Sequence, residues 1–169
     1  MRTLLFIPLF CALALAVEQP MKRPGPPLEV ATVDGGRLNI QKLKGKVVLL
    51  DFMTTACPKC KEASAGIQKV YRELESKGFE AVAIALDAKS ASALIPYKLQ
   101  FGITFPIGTV SREAVYGYLE HSPVKLFYVP TMALLDRQGR IRSIETGWKG
   151  EAALKTAVLE LLAESPRSR

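Results

Sequence analysis

Two of the three cysteines in the chain stand three positions apart, in Cys57-Pro58-Lys59-Cys60. A disulfide at that spacing closes almost no loop, so it adds little of the chain-entropy stabilisation that structural bridges supply. It is a poor staple and a suitable redox switch. The same sulfurs are half of a zinc site, and as soft thiolates they also suit Cu(I). A closed zinc site needs two further ligands, and the chain offers a single histidine, His121, between Glu120 and Ser122. No metal and no cofactor is therefore expected, with a Cu(I) carrier built from Cys57, Cys60 and His121 kept as an alternative.

The two thiols are not equivalent. The tetrapeptide lies where an apolar run ends and a helical pattern begins, so Cys57 faces the positive end of the helix dipole and unpaired backbone N–H groups. Both favour thiolate over thiol, and the cation of Lys59 acts in the same sense. Pro58 suits a first helical turn, where its missing N–H is not needed. Cys57 is thus expected to be the nucleophile. Cys60, one turn on and on the same side, is expected to attack the mixed disulfide that Cys57 forms.

The elements that must hold this pair can be read around it. Val47 to Met53 is an apolar run without alternation, as in a strand covered on both faces. Ile67, Val70, Tyr71 and Leu74 then follow helical spacing, and Gly78 ends the pattern. Phe79 to Leu86 is a second buried strand, so strand, helix and strand imply a parallel right-handed crossover. Upstream, Leu28 to Val33 and Arg37 to Ile40 flank Asp34-Gly35-Gly36 as a hairpin. Downstream, the pattern predicts a helix over Ser90 to Phe101 that Pro96 ends or kinks. A short strand follows at Ile103 to Phe105, then a helix capped by Ser111 that turns Ala114, Val115, Tyr118 and Leu119 inward. Thr131 to Leu135 and Arg140 to Thr146 form a second hairpin, and Glu151 to Ala163 forms the closing helix.

Residues 1–16 read as a signal peptide: Arg2, an apolar run and the small-residue pattern Ala14-Leu15-Ala16. The run is shorter than the roughly 20 residues that cross a bilayer. An uncleaved segment acting as a tether is the alternative. Cys11 lies inside this run and reads as part of it. Residues 17–27 carry Pro20, Pro24, Pro26 and Pro27 and read as a linker, 28–163 as one domain, and 164–169 as a flexible tail. The net charge of +7 is spread along the chain without aromatic interleaving, which argues against a nucleic-acid surface.

The segments Gly45 to Phe52, Cys57 to Cys60, Val129-Pro130-Thr131 and Leu135 to Ile141, with Gly147, together resemble the TlpA/ResA-like thioredoxins, exported relatives of the alkyl-hydroperoxide-reductase and redoxin group. The resemblance covers about Leu28 to Ala163. It implies an α/β thioredoxin fold: a central mixed β-sheet flanked by helices on both faces, with an N-terminal β-hairpin extension. It also implies a thiol-disulfide oxidoreductase in the bacterial periplasm or cell envelope. Such a protein acts on protein thiols and disulfides as a monomer and, as a reductase, draws electrons from a membrane partner. Pro130 is implied to be a cis-proline facing the cysteines, with Val129, Thr131, Pro58 and Lys59 lining the substrate. Asp51 matches a buried acid that takes the proton of Cys60.

The sequence departs from the family at three positions. Ala56 and Met53 stand where tryptophans are usual, and Ala63 stands where cytochrome-maturation members carry a glutamate. Copper-delivery relatives space their cysteines with three intervening residues, and here there are two. A peroxiredoxin-like peroxidase is the nearest rival reading. Thr54-Thr55-Ala56-Cys57 fits part of its T-x-x-C pattern, but Leu50 stands where that pattern has proline.

Overall fold

The computed structural model describes residues 23–164. The proposed signal segment, most of the linker and the last five residues lie outside that span. Within it, the chain forms strands β1 (Arg23–Pro24), β2 (Glu29–Thr32), β3 (Arg37–Asn39), β4 (Val47–Met53), β5 (Phe79–Ala85), β6 (Ile107–Thr109), β7 (Thr131–Leu135) and β8 (Arg140–Thr146). Four α-helices accompany them: α1 (Pro58–Leu74), α2 (Ile95–Gln100), α3 (Arg112–Leu119) and α4 (Glu151–Ala163). The strands make one mixed sheet in the order β1-β8-β7-β4-β5-β6-β2-β3.

The central strand is buried at all seven positions, and its alternation divides the core in two. Val47, Leu49 and Met53 face a cluster with Ile67 and Val70 of α1, Tyr97 of α2, and Leu154 and Val158 of α4. Val48, Leu50 and Phe52 face the other layer, closed by Val115, Tyr118 and Leu119 of α3. A strand covered on both faces has no use for polar side chains. Asp51 is the exception, and its parity aims it at the α1 layer. Strand β5 runs parallel to β4, with Val47 opposite Phe79 and Met53 opposite Ala85, so α1 is the crossover between them. Strand β7 lies antiparallel on the other side, with Asp51 opposite Met132 and Phe52 opposite Thr131.

The upstream hairpin extends the sheet through β6, Ala31 pairing with Thr109 and Thr32 with Gly108. Only glycine fits at 108, because a Cβ there would lie 2.1 Å from the Ala31 carbonyl oxygen. At the opposite edge, Arg23 and Pro24 pair with Ile141 and Arg140. The end of the Pro-rich segment is therefore attached to the domain, where the sequence suggested unpaired chain. A guanidinium bond of 2.8 Å from Arg23 to the Tyr118 carbonyl adds to that hold.

Three local expectations are corrected. The third strand of the parallel part is Ile107–Thr109, not Ile103 to Phe105. The Ile103 N–H instead closes the preceding helix onto the Lys98 carbonyl at 2.9 Å. Pro96 sits in the first turn of α2, which follows a 3-10 turn over Ala91–Leu94, at a position where a missing N–H is harmless. Ala114 is exposed, while Val115, Tyr118 and Leu119 are buried as expected. Among the described residues, no helix is long and apolar enough to cross a membrane.

Candidate active site

The sheet delivers Cys57 to the start of α1. It is the N-cap residue, extended at φ −70° and ψ 119°, and Pro58 opens the helix. The Cys60 N–H donates to Cys57 Sγ at 3.1 Å, so the first sulfur holds one of the helix's orphan amides. Both cysteines are free thiols, Cys57 partly exposed and Cys60 buried. Burial first, then the hydrogen bond and charge of Cys57 and the charge of Asp51, push the Cys60 thiol up to about 12, while the Thr54 amide pulls it the other way. One sulfur is therefore open to attack. The other holds its proton until a base removes it.

A buried carboxyl, Asp51, is among the groups whose charge acts on that thiol. Asp51 is 1% exposed, and among the described residues neither carboxylate oxygen has a hydrogen-bond partner. Its sheet neighbours, Ala83 and Met132, offer no charge to balance it. Burial alone pushes the carboxyl up to about 7. An acid that ionises near neutrality, within electrostatic reach of a thiol held above it, is suited to proton exchange with that thiol.

Opposite the sulfurs, the Val129–Pro130 bond is cis, and the Val129 carbonyl oxygen lies 3.8 Å from Cys57 Sγ. The turn before Cys57 is fixed by Asp87. Its carboxylate accepts the Thr55 N–H at 3.0 and 2.9 Å and the Thr55 hydroxyl at 2.7 Å. A second feature invisible in the sequence is a buried hydroxyl pair, Ser64 Oγ and Tyr97 Oη, 2.9 Å apart. Ser64 is one turn beyond Cys60 on α1. Burial pushes the Tyr97 phenol up to about 12, Ser64 pulls it down, and the charges of Asp51, Cys60 and Cys57 push it up again, so this hydroxyl shares their field.

Other residues singled out from the sequence sit less simply. Lys59 is exposed and paired with Glu62 at 2.8 Å, so its charge is balanced by that carboxylate and not reserved for Cys57. Thr131 is buried and its hydroxyl donates to the Tyr128 carbonyl at 2.7 Å. That bond makes it a support of the proline loop and not an open contact. Pro58 and Ala56 are exposed beside Cys57. His121 packs on Tyr116 and Phe127, with ring centroids 5.2 and 5.1 Å away. Among the described residues, no group of three His, Cys, Asp or Glu side chains is placed to hold a metal ion. The copper reading has no third ligand in this arrangement.

A strand-to-helix dithiol faced by a cis-proline, on a mixed sheet with helices on both faces, defines a thioredoxin-fold redox site. Residues 21–144 match the AhpC/TSA family, and the chain belongs to that family. It is 25% identical over 162 residues to the thiol-disulfide oxidoreductase ResA of Bacillus subtilis, a match covering 90% of this chain and 87% of that one. It is 26% identical over 119 residues to the protein of the same name from Bacillus thuringiensis, covering 70% of this chain and 65% of the relative. Among solved structures, a thiol:disulfide interchange protein of the thioredoxin family from Chlorobium tepidum superposes with a TM-score of 0.74 at 24% identity, over 85% of this chain and 97% of that one. A secreted thiol-disulfide isomerase from Corynebacterium glutamicum gives 0.73 at 19% identity, over 82% and 85%. At these identities the structural likeness speaks for the fold.

Proposed function

We propose that the protein is a thiol-disulfide oxidoreductase that reduces protein disulfides outside the cytosol. The observation that carries the reading is the asymmetry of the pair: an accessible, amide-capped Cys57 sulfur above a buried Cys60 thiol. The Cys57 thiolate attacks one sulfur of a client disulfide, forming a Cys57–client bond and releasing the other client sulfur as a thiolate. Asp51 takes the Cys60 proton, and the Cys60 thiolate attacks Cys57 Sγ. The mixed disulfide breaks, the Cys57–Cys60 bridge forms, and two electrons have passed to the client, whose thiolates take up protons. Val129 and Pro130 line the approach, with Pro58 and Lys59 at its exposed rim.

The reducing direction is favoured by the pairing of Lys59 with Glu62, which offsets a cation that would oppose it. A thiolate stabilised by a neighbouring cation makes a reduced pair reluctant to give up electrons, and here Glu62 balances that cation. Each turnover leaves the pair oxidised, so a donor must return two electrons; a membrane-borne dithiol suits an envelope protein. Placement in the periplasm or envelope is supported by the reading of residues 1–16 as a signal segment. The site is complete within one chain, which suits a monomer.

Membership of the AhpC/TSA family favours a second reading, peroxide reduction at Cys57. Insulin-disulfide reduction and hydrogen-peroxide consumption, measured side by side with dithiothreitol as donor, separate the two. The oxidoreductase reading expects insulin turnover and slow peroxide loss. Rapid peroxide loss with no insulin turnover refutes it. Direction is tested by equilibrating the pair with glutathione buffers. A potential near thioredoxin's, about −270 mV, is expected, and one near about −120 mV contradicts the reductase assignment.

A further inference from the structure

Among the described residues, six large apolar side chains are exposed, and three of them fall within five positions: Val124 at 91%, Leu126 at 76% and Tyr128 at 63%. Single exposed apolar residues are ordinary, whereas a contiguous group marks a surface that is covered in use. This group is held in place. The Lys125 N–H donates to the Ser122 carbonyl at 3.0 Å. Phe127 turns inward against Tyr116 and His121, with centroids 5.6 and 5.1 Å away. The Tyr128 carbonyl accepts the Thr131 hydroxyl at 2.7 Å. With Phe127 facing in, Leu126 and Tyr128 face out, the alternation of an extended chain. A strip fixed in this way loses little entropy when it is covered.

The strip leads directly to the reactive sulfur. Val129 follows Tyr128, and its carbonyl oxygen is 3.8 Å from Cys57 Sγ. No backbone N–H from Leu126 to Val129 donates to another described residue, which leaves those donors unclaimed for an extended partner. Next to Cys57 in the chain, Ala56 and Pro58 are exposed and small. Lys125 is the sole charged residue between His121 and Asp136.

We infer that Val124, Leu126 and Tyr128 form the docking strip for an extended polypeptide segment whose disulfide is flanked by apolar residues, as in an incompletely folded protein. This inference rests on disulfide exchange at Cys57. A client sulfur must reach Cys57 Sγ, so the chain that carries it lies along the surface beside Val129. In folded proteins the apolar neighbours of a disulfide are mostly buried, and only a non-native chain presents them. A second copy of this chain is a poorer occupant, because a stable interface buries about 800 Å² per partner, well beyond three side chains.

The test uses the reduced full chain with two probe peptides of equal length, each closed by one disulfide, one flanked by Leu, Val and Phe and the other by Ser. Glutathione disulfide is the small reference oxidant. Wild-type protein is expected to react with the apolar peptide about tenfold or more faster than with the Ser peptide, and Leu126→Ser to remove about tenfold of that preference. Val124→Ser is expected to act in the same direction. A preference absent from wild type, or unchanged in both variants, overturns the strip. Equal losses with both peptides and glutathione disulfide also overturn it, since they indicate general damage to the site. Failure of wild-type protein to react with glutathione disulfide overturns the exchange reading itself, and the strip with it. A dimer or vesicle binding that is lost in Leu126→Ser assigns the strip to a second copy or a lipid surface, against the inference.

Discussion

Replacing Asp51 by Asn removes a carboxylate that is buried without a partner among the described residues, and the consequence for stability depends on pH. The gap between an ordinary Asp carboxyl at 3.8 and the value of about 7 that burial imposes on Asp51 corresponds to on the order of 4 kcal/mol. Because the folded value is raised, the folded state keeps this proton while the unfolded chain has already lost it. Stability therefore falls as pH rises from about 4 to about 7 and levels off above that. Between pH 5 and pH 8 the wild-type protein is expected to lose about 2.5 kcal/mol through this one group, and Asp51→Asn loses none of it. In melting temperature, the gap between variant and wild type widens by about 5 to 10 °C over the same interval. Urea unfolding at each pH, followed through the single tryptophan, Trp148, with the thiols kept reduced, measures the difference. A buried Asn amide has its own penalty, but that penalty does not titrate. Parallel stability curves for the two proteins would refute the reasoning and show that the carboxylate is solvated or paired.

The same substitution is expected to slow Cys60 attack on the mixed disulfide by roughly 10²-fold, read as accumulation of that adduct in single turnover, if Asp51 is the proton acceptor. In Cys57→Ser, iodoacetamide at pH 8 is expected to modify Cys60 on the order of 10²-fold more slowly than an exposed cysteine, because burial, the largest cause of its raised pKa, remains when Cys57 is gone. Modification at an ordinary rate contradicts the buried placement. Glu62→Gln frees the Lys59 charge and is expected to move the pair's potential in the oxidising direction by on the order of 10 mV; a shift the other way removes the argument for the reducing direction. Gly66→Ala places a Cβ 2.4 Å from the Trp148 ring and is expected to cost about 1 to 3 kcal/mol in urea unfolding, with a changed Trp148 emission.

What the sequence made legible follows from how local each signal is. Val47 to Met53 carries a continuous apolar run and Ile67 to Leu74 a helical period, and both elements form where expected because burial on a fixed face enforces those patterns. The cysteine pair was equally plain, since its spacing and its strand-to-helix position are properties of one short segment. Strand β1 was not legible: a Pro-rich stretch gives no period, and its pairing with β8 is set by residues more than a hundred positions away. The strand around Ile107 was displaced for a similar reason. Ile103 and Phe105 are as apolar and as buried, but the ladder to β5 and β2 begins only after Pro106.

Within the site, partner choice was the hidden quantity. Lys59 has a sulfur at the next position and a carboxylate three positions on, and the helix geometry at i and i+3 selects Glu62. Thr131 looks like an open polar contact until its hydroxyl is seen on the Tyr128 carbonyl. Ser64 and Tyr97 are thirty-three positions apart, and neither is marked by its neighbours as polar core. Asp87 lies two residues past the end of β5, and its three bonds to Thr55 exist only because β4 and β5 end side by side.

The measurement closest to the central claim is the mass of the adduct that Cys57→Ser and Cys60→Ser, each also carrying Cys11→Ser, form with a protein disulfide. Intact-mass spectrometry after a brief reaction of reduced protein with insulin is expected to find a stable one-to-one mixed disulfide through Cys57 in Cys60→Ser, and no adduct in Cys57→Ser. An adduct on Cys60 in Cys57→Ser, or normal insulin turnover by Cys60→Ser, would contradict the roles assigned to the two sulfurs.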